Sequence, residues 1–255
     1  MNVLDGKVAI VTGAGAGLGR AIATSLARAG ASIALVDLDE TAANETLEII
    51  TSLGGRGRAY RCDVSDRVQV DTTWDDTATE FGRLDIVVNN AGVSFVGPSI
   101  LDTTDEAWHT SIGVMQTGVF YGMRAAARHM IPQGSGSVVN VSSIRGFSSN
   151  PGRIAYCAAK AAVLMMTKVA AGEWAPHGVR ANAVAPGVQR TPMWESDVAR
   201  GAIDEDAILA VLPAGRIGDP HEVGELVVFL CRDDMTYING SCVTIDGALT
   251  AVPIG

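Results

Sequence analysis

The chain has 255 residues, 47% of them hydrophobic and 18% charged, with a formal net charge of −9. That is enough apolar material for a sizeable core in one or two domains, and the acidic balance makes a poor partner for nucleic-acid phosphates. Cys62, Cys157, Cys231 and Cys242 are scattered, with no C-x-x-C pair and no His cluster nearby, so no metal site or disulfide framework is expected and a reducing, cytoplasmic setting fits.

The opening stretch MNVLDGKVAIVTG sets Asp5 and Lys7 ahead of a short apolar run, which does not read as a signal peptide. A strand is expected over 7–12. TGAGAGLG follows at 12–19, where Gly13, Gly17 and Gly19 stand between that strand and a helix over 18–29. Glycine permits the tight turn and lets the backbone approach a pyrophosphate. The helix start at Leu18 would aim its free N–H groups at that anion. The next strand, 32–37, ends on Asp37. A carboxylate there accepts hydrogen bonds from both hydroxyls of an adenosine ribose and repels a 2′-phosphate. With no Lys or Arg inside AGAGLG, the expected cofactor is NAD rather than NADP.

Helices are expected next over 40–53, 66–81, 104–130, 155–175 and 220–231. Strands are expected over 58–63, 84–90, 136–143, 179–186 and 242–246. Several of these strands are apolar at consecutive positions, as strands buried on both faces of a parallel sheet are. The alternation implies right-handed βαβ crossovers. The expected fold is α/β: a single-domain, Rossmann-like, doubly wound parallel sheet of about seven strands with helices on both faces. The longest charge-free stretch, 107–123, holds His, Gln, Thr and three Gly, so no membrane span is expected. Residues 188–215 break the rhythm with Thr191, Pro192, Pro213 and Gly215, and read as an irregular lid or substrate loop.

Gly13-x-x-x-Gly17-x-Gly19 resembles the short-chain dehydrogenase/reductase family, and further motifs agree in order and spacing over nearly the whole chain. CDV (62–64) resembles the adenine-contacting turn, which implies roles for Asp63 and Val64. NNAG (89–92) resembles the fourth-strand motif, placing Asn90, Ala91 and Gly92 beside the cofactor. YCAAK (156–160) matches Tyr-x-x-x-Lys, and Ser143 precedes Tyr156 by the family's 13 residues. NAVAPG (182–187) followed by Thr191 resembles the segment that holds the nicotinamide carboxamide, which implies Pro186, Gly187, Val188 and Thr191. The resemblance implies an NAD(P)-dependent alcohol dehydrogenase or ketone reductase, a homotetramer, with Ser143, Tyr156 and Lys160 catalytic.

Tyr156 and Lys160 are four apart and share one helix face. A free phenol has a pKa of about 10, and the ammonium together with the positive nicotinamide is expected to lower it so that Tyr156 exchanges a proton with the substrate. Ser143 would donate to the substrate oxygen. Where the family carries a helical asparagine, this chain has Met115. Two readings follow: a working enzyme with an altered proton relay, or an NAD-binding sensor without turnover. A reductase of 3-oxoacyl groups on acyl carrier protein is a third reading, disfavoured by Asp37. The expected pocket wall includes Ser94, Ile144, Arg145, Asn150, Met193 and Trp194, suiting a small alcohol or ketone. Arg145 and Arg153 are open to two readings, as selectors of an anionic substrate or as solvated loop residues. The C-terminal IDGALT places Ala248 where the family often has a second consecutive glycine.

Overall fold

A computed structural model describes residues 2–251 except 94, 98 and 202, together with the backbone but not the side chain of Met193. All seven expected strands form: β1 Val8–Thr12, β2 Ser32–Asp37, β3 Gly57–Arg61, β4 Ile86–Asn89, β5 Gly136–Val141, β6 Val179–Pro186 and β7 Cys242–Ile245. They make one sheet in the order β3-β2-β1-β4-β5-β6-β7, and every pairing is parallel.

The apolar runs have two destinations, because successive side chains leave a strand on opposite faces. Ala9, Val11, Ile33 and Leu35 enter one core with Ile22, Leu26, Val223 and Val227. Ile10, Ala34 and Val36 enter the other with Trp74, Met123, Ala126 and Val163. The first core lies under helices α1 (Gly17–Arg28), α2 (Glu40–Ser52) and, near the carboxyl end, Pro220–Cys231. The second lies under α3 (Arg67–Phe81) and two long helices described next.

The expected helix over 104–130 is three segments. α4 (Asp105–Ile112) runs into a π turn (Gly113–Thr117), and α5 (Gly118–Gln133) continues to a left-handed Gly134. Pro132 lies in the last turn, so the helix outlasts its predicted end. α6 (Ile154–Trp174) then packs along β6. Among the described residues it is the one helix, extended to His177, long and apolar enough to cross a membrane.

Residues 188–215 are more regular than expected. Thr191 caps α7 (Pro192–Ala199) by accepting from the Trp194 amide at 3.3 Å, and Asp204 caps α8 (Glu205–Val211) by accepting from the Ala207 amide at 3.1 Å. α9 (Pro220–Cys231) begins with a reciprocal capping box between Asp219 and Glu222 and has proline in its first turn.

Parallel strands all deliver their carboxyl ends to one edge of the sheet. The strand order reverses between β1 and β4, and the loops leaving these strands diverge there to leave a crevice.

Candidate active site

The glycine loop and its neighbours form one side of that crevice. A side chain on Gly19 would collide with the Gly13 carbonyl, so helix α1 can start this close to β1 only as glycine. Gly17 has φ +53° and faces Thr191, with 3.6 Å between a built Cβ and that threonine. Ala16, the residue before α1, offers no capping side chain, and the first turn holds no acid. The N–H groups at Leu18 and its neighbours therefore have room and electrostatic reason to take a pyrophosphate. The residues fit a dinucleotide.

Asn90 fastens this loop to β4. Its side-chain amide donates to the Thr12 carbonyl at 2.9 Å, and the Thr12 hydroxyl accepts from the Asn90 and Ala91 amides at 2.9 and 3.0 Å. Gly92 lies against Met115, whose sulfur is 3.6 Å from a built Cβ. Asp37 is oriented by two backbone donors, Gly15 N–H at 2.8 Å and Asp39 N–H at 3.0 Å, with lone pairs left for a ligand. Arg20 brings a cation to the loop from just outside AGAGLG. Its guanidinium donates to the Gly15 carbonyl and to Glu45 Oε2 at 2.8 Å, so its charge is already paired. Asp63 accepts from the Ser65 amide and hydroxyl at 2.9 and 2.7 Å, which fixes the turn carrying Val64 ahead of α3.

Pro186 ends β6, and the Gly187 amide donates to the Ile245 carbonyl at 2.9 Å. The Val188 carbonyl accepts from Gly218 at 3.1 Å. Trp194 is tied to α8 through Nε1 and Glu205 at 3.3 Å, and Glu205 also receives Arg190 at 2.7 Å. Ser94 lies outside the described residues, as does the Met193 side chain.

The Ser-Tyr-Lys group lies across the crevice. Ser143 does not end the strand as expected. It stands two residues past β5 and caps a short 3₁₀ turn, its Oγ accepting from the Arg145 amide at 3.1 Å. Its own proton remains to donate. Lys160 Nζ is 5.7 Å from the centroid of the Tyr156 ring and donates to the Val141 carbonyl at 2.8 Å. Ile144 is buried behind this group, while Asn150 is half-buried on the following loop.

Burial dominates the electrostatics of this pair. Burial raises the Tyr156 pKa above its ordinary value of 10.0, outweighing the lowering by Ser143, Arg153 and Arg145. Lys160 is only 4% exposed, and burial brings its own pKa down from 10.5 to about 8. The lysine that was expected to lower the phenol therefore carries its own desolvation penalty.

The sequence reading also passed over a buried polar chain. Asn89 donates to Asn140 at 2.8 Å, and Asn140 donates to Thr167 at 2.9 Å. This ties β4, β5 and α6 together. A polar residue amid the apolar run of 136–141 was its visible signal, as Arg20 next to Gly19 was for the loop cation. Met115 is fully buried in the π turn. The helix distortion that would present its carbonyl thus exists without an asparagine amide. Among the described residues, no group of three or more His, Cys, Asp and Glu side chains gathers as a metal site.

A dinucleotide cradle facing a Ser-Tyr-Lys group defines a nicotinamide-dependent oxidoreductase. Residues 13–250 match the family described as enoyl-(acyl carrier protein) reductase. D-threitol dehydrogenase of Mycolicibacterium smegmatis is 38% identical over 97% of this chain and 94% of that protein. The 3-oxoacyl-[acyl-carrier-protein] reductase of Thermotoga maritima is 36% identical over 96% and 98%. A crystal structure of a protein proposed to be a 2-deoxy-D-gluconate 3-dehydrogenase, from Agrobacterium tumefaciens and with NADP bound, superposes with a TM-score of 0.90. It has 34% identity and covers 98% of each chain. The chain belongs to the short-chain dehydrogenase/reductase family and is an enzyme acting on CH–OH groups.

Proposed function

We propose that this protein is an NAD-dependent dehydrogenase interconverting a secondary alcohol and its ketone, with Ser143, Tyr156 and Lys160 as its catalytic residues. One observation carries the reading. At the carboxyl edge of the sheet Lys160 Nζ lies 5.7 Å from the centroid of the Tyr156 ring, and Ser143 caps the turn that leaves β5.

When bound, the nicotinamide supplies or accepts the hydride. In reduction Tyr156 gives its proton to the substrate oxygen, and the Ser143 hydroxyl donates to that oxygen as it gains negative charge. In oxidation the phenol oxygen takes the alcohol proton. Because burial holds the phenol protonated, reduction is served directly at neutral pH and oxidation gains rate as pH rises. Lys160 keeps a donor beside the ring and would hold the nicotinamide ribose.

NAD is favoured over NADP by the Asp37 carboxylate, held at the end of β2 by two amides, and by the pairing of Arg20 with Glu45. Gly13, Gly17, Leu18 and Gly19 would hold the pyrophosphate, and Pro186, Gly187, Val188 and Thr191 the nicotinamide end. Asp63, Val64, Asn90, Ala91 and Gly92 would border the adenine and ribose. We read residues 1–255 as one catalytic unit with α7 and α8 as its substrate lid. Phe120, Met165, Val169 and Phe229 expose apolar surface on α5, α6 and α9, which supports a homotetramer. The acidic charge and free thiols suit a cytoplasmic enzyme of small molecules.

The test is NADH formation across a panel of secondary alcohols and diols, with NADP in parallel. Wild type should turn over with NAD, and Tyr156→Phe should bind NADH yet lose turnover. Parental rates in Tyr156→Phe would sink the proton-transfer role.

A further inference from the structure

One carboxylate closes a ring of contacts at the base of α7 and α8. Glu205 is the first residue of α8, and both of its oxygens are engaged. Oε1 accepts from the Arg190 guanidinium at 2.7 Å, and Oε2 accepts from Trp194 Nε1 at 3.3 Å. Trp194 is held a second time, because its amide donates to Thr191 Oγ1 at 3.3 Å. Arg190 and Thr191 are consecutive, so the ring runs from Arg190 through Thr191, Trp194 and Glu205 back to Arg190. It joins the segment leaving β6 to both helices.

None of the described side chains of α7 and α8 is buried. Polar ties rather than a core therefore decide where these helices sit, and such segments open at low cost. The ring is anchored at its base. The Arg190 amide donates to the Gly218 carbonyl at 2.9 Å, and the Gly218 amide donates to the Val188 carbonyl at 3.1 Å, which pins the backbone on either side of Gln189. The carbon atoms of the Thr191 side chain face Gly17, 3.6 Å from a built Cβ. Thr191 thus carries the α7 cap on its hydroxyl and meets the glycine loop with its carbons.

We propose that Glu205 is a positioning residue that couples the α7–α8 lid to the nicotinamide end of the cofactor. Through Arg190 it holds Thr191 against the glycine loop, and through Trp194 it docks α8 on α7. This rests on the cofactor placement and the lid reading above. A cofactor that touches Thr191 stabilises the closed ring, and the closed ring tightens that cofactor by the same factor.

Glu205→Gln probes the tie. Glutamine keeps the shape but offers one acceptor oxygen in place of two and sets an NH2 group against one of the two donors. Calorimetric titrations compare NADH with ADP-ribose, which keeps the adenosine, pyrophosphate and terminal ribose and lacks the nicotinamide. In Glu205→Gln the Kd for NADH should rise about 5-fold and that for ADP-ribose by less than about twofold. Retained ADP-ribose binding also shows that the variant is folded. Arg190→Gln should behave alike, and the double variant should be no weaker than either single one, since both remove the same tie. Trypsin supplies a second readout at Arg200, which is exposed at the end of α7. NADH should slow that cleavage in wild type by at least about threefold, and the protection should vanish in Glu205→Gln. The proposal is overturned if Glu205→Gln weakens the two ligands alike, leaves NADH binding unchanged or keeps the protection, or if the two substitutions add. Turnover of secondary alcohols by wild type would in that case leave the dehydrogenase reading standing. Selective loss of NADH affinity and protection, in an enzyme that turns over no alcohol, would support the role of Glu205 and sink the dehydrogenase reading.

Discussion

Replacing Lys160 with methionine separates what the lysine does for chemistry from what it costs the fold. The stem is kept and the charge removed. Burial takes the Lys160 pKa from 10.5 to about 8, a difference worth about 3 kcal/mol. The folded pKa is the depressed one, so between these values the unfolded chain holds more protons. Stability therefore rises with pH across that window. Below about pH 8 both states carry the proton and the whole cost persists. Methionine escapes it but strips the Val141 carbonyl of its donor, a pH-independent loss of about 1–3 kcal/mol. The stability of Lys160→Met relative to wild type should thus be highest below pH 8 and fall by about 3 kcal/mol by pH 10.5. Urea melts of the cofactor-free protein at matched concentration would measure it, read by the fluorescence of buried Trp74 and Trp174. Turnover should be lost at every pH. A stability difference that stays flat across the window, or grows with pH, would refute the reasoning.

In Asp37→Asn an oxygen remains for the Gly15 amide while the charge is gone. The ratio of kcat/KM for NAD over NADP should fall by at least about 10-fold, and an unchanged ratio would remove Asp37 as the selector. Met115→Asn puts an amide into a fully buried volume beside Gly92. Chemical denaturation should show a loss of about 1–3 kcal/mol, while kcat moves less than about threefold because the π turn is already formed. A kcat rise beyond about tenfold would mean that the relay needs the amide. Ala248 has φ +68°, so Ala248→Gly should gain about 0.5–1 kcal/mol and raise Tm by about 2 °C. An unchanged or lower melting temperature would count against strain at that turn.

How far the sequence could be read depended on which physical signal each feature left. β2 and β6 form over their predicted ranges, since turns bound both segments. α9 also begins where its Asp-Pro-x-Glu start sets it. α7 and α8 were missed because their apolar pattern is weak, although Thr191 and Asp204 were readable as caps. The π turn leaves no trace in periodicity, being a displacement of one residue. For the site, the family resemblance singled out Ser143, and the spacing of Tyr156 and Lys160 set them on one helix face, where Lys160 lies beside the Tyr156 ring. Spacing registers a neighbouring charge but not the desolvation around it, so the burial that raises the Tyr156 pKa left no sign in the sequence. Asn140, within β5, read as one more strand residue; its hydrogen bonds to three other elements, β4, α5 and α6, depend on tertiary contacts that local pattern does not encode.

The π turn at Gly113–Thr117 works as a phase shift in the helix that carries it. Ordinary helix advances by about 100° per residue, so one additional residue within the turn sets α4 at a different rotation relative to α5 than continuous helix would give. Changes in length and changes in side chain therefore have opposite consequences here. Most replacements leave the rotation intact, whereas deleting a single residue between 113 and 117 would close the ladder into ordinary helix. α4 would then rotate by about 100° relative to α6, against which it packs. For this stretch of chain, length is under tighter constraint than identity.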